Sequence, residues 1–243
     1  MTPDTAIIIL AAGQGKRMRS PLPKPLVPVA GRPIIDHLID SVRAANISTI
    51  SVVVGHQAEK MQAHLDPSVH TPLQSVRNGT AHAVDVARET VSDADEIFVF
   101  VGDSPLISTP SIEHLQRVHR DSDAACSFLT ANFEQHYPYA RVIRSSDGGV
   151  AAVIEERDCT PEQTRITEYL TSHFLFDATA LWSVLDKIEA HPVTGERYLT
   201  DAISLLLQQG KRVEAVPIQD WRELVGLNTP EDVAWAESVL TRD

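Results

Sequence analysis

The apolar run Ala6-Ile-Ile-Ile-Leu10 passes directly into Ala11-Ala-Gly-Gln-Gly-Lys16, and this junction constrains the fold of the chain more than any other feature. A continuous β-branched run ending on glycines reads as a parallel strand, buried on both faces, that feeds a ligand-side loop. The residues that follow differ in charge from the rest of the chain. Between Ala6 and Ile35 there is no Asp or Glu, whereas Lys16, Arg17, Arg19, Lys24 and Arg32 are all basic. The full 243 residues carry a formal charge of −12, which at long range opposes binding to nucleic acid or to an anionic membrane surface. A basic glycine loop in an acidic protein is expected to hold a small polyanion instead.

The alternation that follows is that of an α/β protein. Pro33 is expected to open a helix whose apolar side, Ile34, Ile35, Leu38, Ile39 and Val42, faces a core, and Ile50 to Val54 reads as the next strand. A helix from about Thr80 to Val91, a strand from Ile97 to Val101 and a helix from about Pro110 to Arg120 continue a doubly wound sheet. From Ala124 onward the texture becomes β-like: Ala124 to Thr130, Arg141 to Arg144, Val150 to Glu155 and Ile166 to Phe176, with Asp147-Gly148-Gly149 as a hairpin turn. Helices are expected again at Asp177 to Glu189, at Tyr198 to Gln209 and after Thr229. The chain is expected to be one domain, with a nucleotide-binding half at 1–122 and a substrate half at 123–243. Its longest N-terminal apolar run is too short for a bilayer and lacks a basic leader, so a cytoplasmic protein is expected. Cys126 and Cys159 have no metal-ligand or disulfide spacing and are expected to be small buried hydrophobes.

In open α/β sheets ligands sit beyond the carboxyl ends of the strands, which points to Gly13, Gly102 and their neighbours. The loop Leu10-Ala-Ala-Gly-Gln-Gly-Lys-Arg-Met18 lacks the third glycine of the dinucleotide fingerprint and the Gly-Lys-Ser/Thr ending of the P-loop. Continued through Pro23-Lys24-Pro25-Leu26, it resembles the signature of sugar-1-phosphate nucleotidyltransferases. Gly79-Thr-Ala-His-Ala83, Val101-Gly-Asp-Ser-Pro-Leu106, Glu155-Glu-Arg-Asp-Cys-Thr160 and Gly195-Glu-Arg-Tyr-Leu-Thr-Asp201 narrow the resemblance. In that order they resemble the uridylyltransferase domain of the bifunctional enzymes that make UDP-N-acetylglucosamine, over nearly the whole chain. Acetyl transfer is not expected, because the hexapeptide-repeat half of those enzymes has no counterpart in this sequence.

The resemblance implies a Rossmann-like doubly wound mixed sheet of the nucleotide-diphospho-sugar transferase type, with a small β-rich extension on the substrate side. It implies Arg17 and Lys24 as the catalytic cations on phosphate, with Leu10, Ala11, Ala12 and Gly13 lining the nucleotide. Gln74, Gly79 and Thr80 match positions that read uracil. Asp103 and Asn228 match the ligands of Mg²⁺, a hard cation that takes the rest of its oxygen shell from water and substrate phosphates. Ala140, Glu155, Leu170, Thr171, Tyr198 and Thr200 match positions that face the sugar phosphate. The expected partners are UTP and a sugar-1-phosphate, without nucleic acid or membrane, in a monomer or homodimer. Each position also has a plainer reading: Gly102-Asp103 as a strand-end turn, Asn228 or Thr80 as a helix cap, His82 as a hydrogen-bonding residue of its helix.

The match departs from its family in the sugar region. Lys16 stands where Gly-Thr-Arg has threonine, Tyr139-Ala140-Arg141 replaces Tyr-Gly-Arg, and Glu168-Tyr-Leu-Thr-Ser172 replaces Glu-x-Asn-Thr-Gly. Leu170 has no hydrogen-bonding group and Ala140 adds a methyl where backbone is expected to approach ligand. The acceptor is therefore expected to differ from N-acetylglucosamine-1-phosphate, with another sugar or cyclitol phosphate in its place. Cytidylyl, thymidylyl or guanylyl transfer on the same fold and a non-catalytic nucleotide-sugar-binding module are the alternatives.

Overall fold

A computed structural model of the protein describes residues 3–241. Strand β1 (Thr5–Leu10) leads through two 3₁₀ turns and a short hairpin, β2 (Pro28–Val29) with β3 (Arg32–Pro33), into helix α1 (Ile34–Ala44) and strand β4 (Thr49–Val53). Helices α2 (Ala58–His64) and α3 (Thr80–Val86), strand β5 (Glu96–Val101), helix α4 (Thr109–Ser122) and strand β6 (Cys126–Asn132) follow. The chain then forms the hairpin β7 (Ala140–Arg144) and β8 (Val150–Ile154), the long strand β9 (Glu168–Asp177), α5 (Ala178–Leu185), α6 (Asp201–Gln208), β10 (Val213–Pro217) and α7 (Pro230–Leu240).

One sheet runs in the order β10-β6-β9-β5-β1-β4, with β7 and β8 attached beside β9. Strand β1 is parallel to both β4 and β5, whereas β9 is antiparallel to β5 and β6, so the sheet is mixed, as expected. The reason both faces are covered is visible in β1 itself. Its residues alternate between two cores: Ile7 and Ile9 pack with Leu38 of α1 and Leu115 of α4, while Ala6 and Ile8 pack with Val84 of α3, Leu181 of α5 and Ile203 of α6. The predicted side of α1 is fully realised, with Ile34, Ile35, Leu38, Ile39 and Val42 all buried. Each such side chain contributes about 1.5–3 kcal/mol of burial.

Several boundaries differ from expectation for local reasons. The helix expected to Val91 stops at Val86 and continues as a 3₁₀ turn, Arg88–Val91, where the Thr90 hydroxyl donates to the Ala87 carbonyl. The helix expected from Tyr198 starts at Asp201, because the Leu199 N–H is drawn across to the Thr80 hydroxyl oxygen at 2.9 Å. Helix α5 ends at Leu185, and the Arg197 guanidinium donates to the carbonyls of Leu185 and Ile188. Cys126 is buried as expected, but Cys159 is only half-buried. Arg32 pairs with Asp40 at 2.6 Å on the surface, so it does not join the loop cations.

Strand β9 carries the irregularity that shapes the site. Phe128 pairs with Phe174 and Thr130 with Leu170, leaving Leu129 alone opposite Thr171, Ser172 and His173. A bulge of this kind re-aims the side chains of the longer strand. Ser172 sits within it at φ +66°, in the left-handed region.

Candidate active site

The carboxyl ends of β1, β4 and β5 bring the glycine loop, residues 54–56 and Gly102-Asp103 to one edge of the sheet. The His56 N–H donates to the Ala12 carbonyl at 3.3 Å and the Gly102 N–H to the Leu10 carbonyl at 2.9 Å. Gly55 is required here, since a Cβ on it would lie 2.7 Å from the Ala12 oxygen. Gly15, at φ +56°, brings the loop against Lys24: its missing Cβ would fall 2.6 Å from the Lys24 Cβ. The loop thus orients the lysine as well as presenting backbone N–H groups.

The Lys24 ammonium lies between two oxygen donors from distant segments. It forms an ion pair with the Asp103 carboxylate and donates to Asn228 Oδ1 at 2.8 Å, while Arg17 donates to the same Asn228 oxygen at 3.0 Å. Asn228 does not cap α7. Thr229 does, in a reciprocal capping box with Asp232, which leaves the Asn228 side chain to the site. The Leu227 N–H donates to the Asp103 carbonyl at 2.9 Å, and a Cβ on Gly226 would come within 2.9 Å of Asp103 Oδ1, so this turn packs tightly on the aspartate.

Two clefts meet at this cluster. One, of about 290 Å³, is lined by Gly13, Gln14, Gly15, Lys16, Arg17, Lys24 and Asn228. The other, of about 240 Å³, shares Arg17 and Asn228 with it and is walled by Asp103, Tyr139, Ala140, Glu155, Leu170, Thr171, Ser172 and Thr200. A larger depression of about 860 Å³ lies at the opposite, amino-terminal ends of β1, β4 and β5. That position is the wrong end of an α/β sheet for a nucleotide.

Most of the residues expected in the site are brought to these clefts, but not all. Ala11 and Ala12 are buried and hold the loop through backbone bonds, with Leu10 half-buried. Gln74 is buried beside β4 through its N–H to the Val54 carbonyl at 2.8 Å. Its amide nitrogen donates to the Gly79 carbonyl and to His82 Nδ1, both at 3.1 Å, and its amide oxygen has no partner among the described residues. His82 is thus a hydrogen-bonding residue of α3. Gly79, at φ +93°, is the N-cap of α3, and Thr80 is the first helical residue, with its hydroxyl oxygen committed to Leu199. Tyr198 is not in the wall of either cleft. Its hydroxyl bonds Thr194, Glu196 and Arg157.

In the β9-walled cleft, Glu155 accepts from the Thr200 hydroxyl at 2.8 Å, and burial pushes its carboxyl above the usual range. Thr171 bonds Nδ1 of His173, a fully buried ring packed edge-on to Phe100 and pushed down to about 4 by desolvation, hence neutral. Ala140 pairs with Leu170 across β7 and β9, and the two form an apolar patch in the wall.

Tyr139 was expected only as part of a motif, yet it holds the turn that carries Asn228. Its phenol oxygen accepts from the Gly226 N–H at 3.0 Å, and burial raises its ionisation well above that of a free phenol. No spacing signal marks this bond, which joins residues from two separated segments. Tyr139→Phe leaves that N–H unpaired and is expected to destabilise the fold by about 1–3 kcal/mol, read as a lowered midpoint in a thermal melt followed by circular dichroism; an unchanged midpoint would contradict the assignment.

A basic glycine loop at the carboxyl edge of a doubly wound sheet is an arrangement suited to a polyanion. Over residues 7–216 the chain matches the MobA-like NTP transferase domain, and it belongs to that family. It is 39% identical over 235 residues to the bifunctional protein GlmU of Clostridium beijerinckii, covering 96% of this chain and 51% of the relative. It is 36% identical over 236 residues to GlmU of Enterococcus faecalis, covering 97% and 52% respectively. The chain therefore spans about half the length of these curated relatives. A crystal structure described as a glucose-1-phosphate thymidylyltransferase from Bacillus anthracis superposes with a TM-score of 0.82 at 20% identity, covering 98% of this chain and 96% of that one. The fold expected from the sequence is thereby borne out.

Proposed function

We propose that this protein transfers the nucleotidyl group of UTP to a sugar-1-phosphate, giving a UDP-sugar and pyrophosphate. One observation carries the reading: the Lys24 ammonium sits between Asp103 and Asn228 Oδ1, beside Arg17, where a triphosphate-sized cleft meets a second cleft. Two oxygen donors that converge on one cation also fit Mg²⁺, which favours oxygen ligands and keeps positions for water and phosphate. Asp103 and Asn228 would hold it, and when bound it would supply charge neutralisation on the phosphates.

The acceptor's own phosphate oxygen attacks the α-phosphorus; one P–O bond forms while the bond to the bridging oxygen breaks and pyrophosphate departs. A phosphate monoester has its second pKa near 6, so the nucleophile is largely ionised at about pH 7 and no general base is needed. The work of the protein is to bring two polyanions together and offset their charge, a task suited to Arg17, Lys24 and the N–H groups of the glycine loop. With a cation held by Asp103 and Asn228, the Lys24 ammonium would be free to turn from these two oxygens to the phosphates.

The base assignment rests on Gln74. With both hydrogens of its amide nitrogen committed to Gly79 and His82, it offers an oxygen acceptor, which suits the imide N–H of uracil. Thymine carries the same group, so dTTP is the second reading. In calorimetric titrations with Mg²⁺ present, UTP is expected to bind at least about tenfold more tightly than CTP, roughly the effect of mispairing a buried acceptor. Tighter binding of CTP would overturn the base assignment. The Leu170 and Ala140 patch, where the resembling enzymes carry asparagine and glycine, supports an acceptor other than N-acetylglucosamine-1-phosphate.

A further inference from the structure

Ser172 occupies a backbone conformation that costs energy for any residue but glycine. At φ +66° it lies in the left-handed region, within the β9 bulge, where an L side chain is crowded by its own backbone. Residues held in such conformations concentrate at functional sites, because the surrounding fold must impose them. The serine gives the fold nothing visible in return. It is half-buried, it lines the second cleft, and its hydroxyl makes no hydrogen bond within the described residues.

The other polar side chains of that cleft are already engaged. Thr171 bonds His173, Glu155 bonds Thr200, Tyr139 bonds Gly226, Asp103 pairs with Lys24, and Asn228 accepts from Arg17. Leu170 and Ala140 supply an apolar surface close by. A bound acceptor therefore meets a wall whose polar groups are mostly satisfied, with one hydroxyl free to donate and accept.

We propose that the Ser172 hydroxyl hydrogen-bonds an oxygen of the acceptor sugar phosphate and is a specificity-determining group of this cleft. The inference rests on the transfer reaction proposed above and adds a residue to it. The opposing possibility is that serine is retained for packing or for backbone rigidity.

Ser172→Gly and Ser172→Ala distinguish the two. Pyrophosphate release is measured with wild type and both variants over a panel of sugar-1-phosphates, alongside calorimetric titration of the same acceptors and thermal melts. Loss of one hydrogen bond to ligand is expected to raise the acceptor KM and Kd by about 3–10-fold in both variants, with the KM for the nucleotide unchanged. Ser172→Gly, relieved of the left-handed penalty, is expected to melt no lower than wild type. Unchanged acceptor KM and Kd in both variants would overturn the proposal, as would a marked fall in the Ser172→Gly midpoint with acceptor affinity intact. A wild type that binds a sugar phosphate without turnover would overturn the transfer reading while the Kd values still judge the serine. A wild type that binds no sugar phosphate would overturn both.

Discussion

Lys24→Ala is expected to lower kcat/KM by about 10²–10³, the usual loss when one group aimed at developing charge is removed. The lysine is positioned by three independent features. Gly15 presses on its stem, Asp103 pairs with its ammonium, and Asn228 accepts from it at 2.8 Å. Little of the backbone depends on it: the side chain lines a cleft, and the Asp103 carbonyl keeps its bond from Leu227 without the ammonium. Asp103→Ala is expected to fall similarly in turnover, again with the Leu227 bond retained because that bond uses backbone atoms. Steady-state kinetics on purified, folded variants check both, and normal turnover in either would remove it from the phosphate and metal machinery.

Gly79→Ala is expected to have the largest effect on stability. At φ +93° the residue is in a region closed to alanine, and its Cβ would lie 2.3 Å from the Arg197 carbonyl oxygen. That carbonyl accepts from the Ala81 N–H at 3.0 Å, while the Arg197 N–H donates to Asn78 at 2.8 Å. The substitution therefore forces apart the contact that ties α3 to the segment before α6, and with it the Gln74 to Gly79 bond. A loss of about 3 kcal/mol or more is expected from the strain together with the broken pairing, which in a domain of this size lowers the melting midpoint by about 6–12 °C. Nucleotide affinity should weaken as well, since Gln74 loses one of the partners that orient its amide. A midpoint within about 2 °C of wild type would mean that the turn yields easily.

Long periodic elements were legible in the sequence because their signal is their own burial. The alternation of β1 between two cores and the apolar side of α1 are both written in consecutive side chains. Helix α2 was not legible: it is seven residues long, only Met61 of it is buried, and its N-cap is Gln57 at φ +56°. The hairpin β2–β3, two residues to a strand, is too short for a period to register, and β10, Val-Glu-Ala-Val-Pro, ends on a proline, which weakens its strand signal.

For the site, the glycine loop, Lys24, Asp103 and Asn228 could be read from motif order, although nothing local reveals that one ammonium would join residues so far apart in the chain. Charge was legible but coarse. Of the five basic residues in the acid-free stretch, Lys16, Arg17 and Lys24 line the first cleft, whereas Arg32 is held by Asp40. Tyr198 shows the opposite limitation. Its motif suggested the sugar cleft, yet its hydroxyl is drawn to Arg157, Glu196 and Thr194 by chain packing that no motif encodes. Tyr139 and Ser172 stand in motifs that could be read, but the cross-chain bond of the one and the bulge that holds the other have no sequence period.

The most direct test of the account is pyrophosphate release by the purified protein with Mg²⁺, over a grid of the nucleoside triphosphates and a panel of sugar-1-phosphates, with product mass determined in each well. Release is expected to require both substrates, to be matched mole for mole by a nucleoside diphosphate sugar, to be greatest with UTP, and to favour an acceptor other than N-acetylglucosamine-1-phosphate. Folded protein that binds nucleotide but releases no pyrophosphate with any acceptor would contradict it and leave a binding module in place of a transferase.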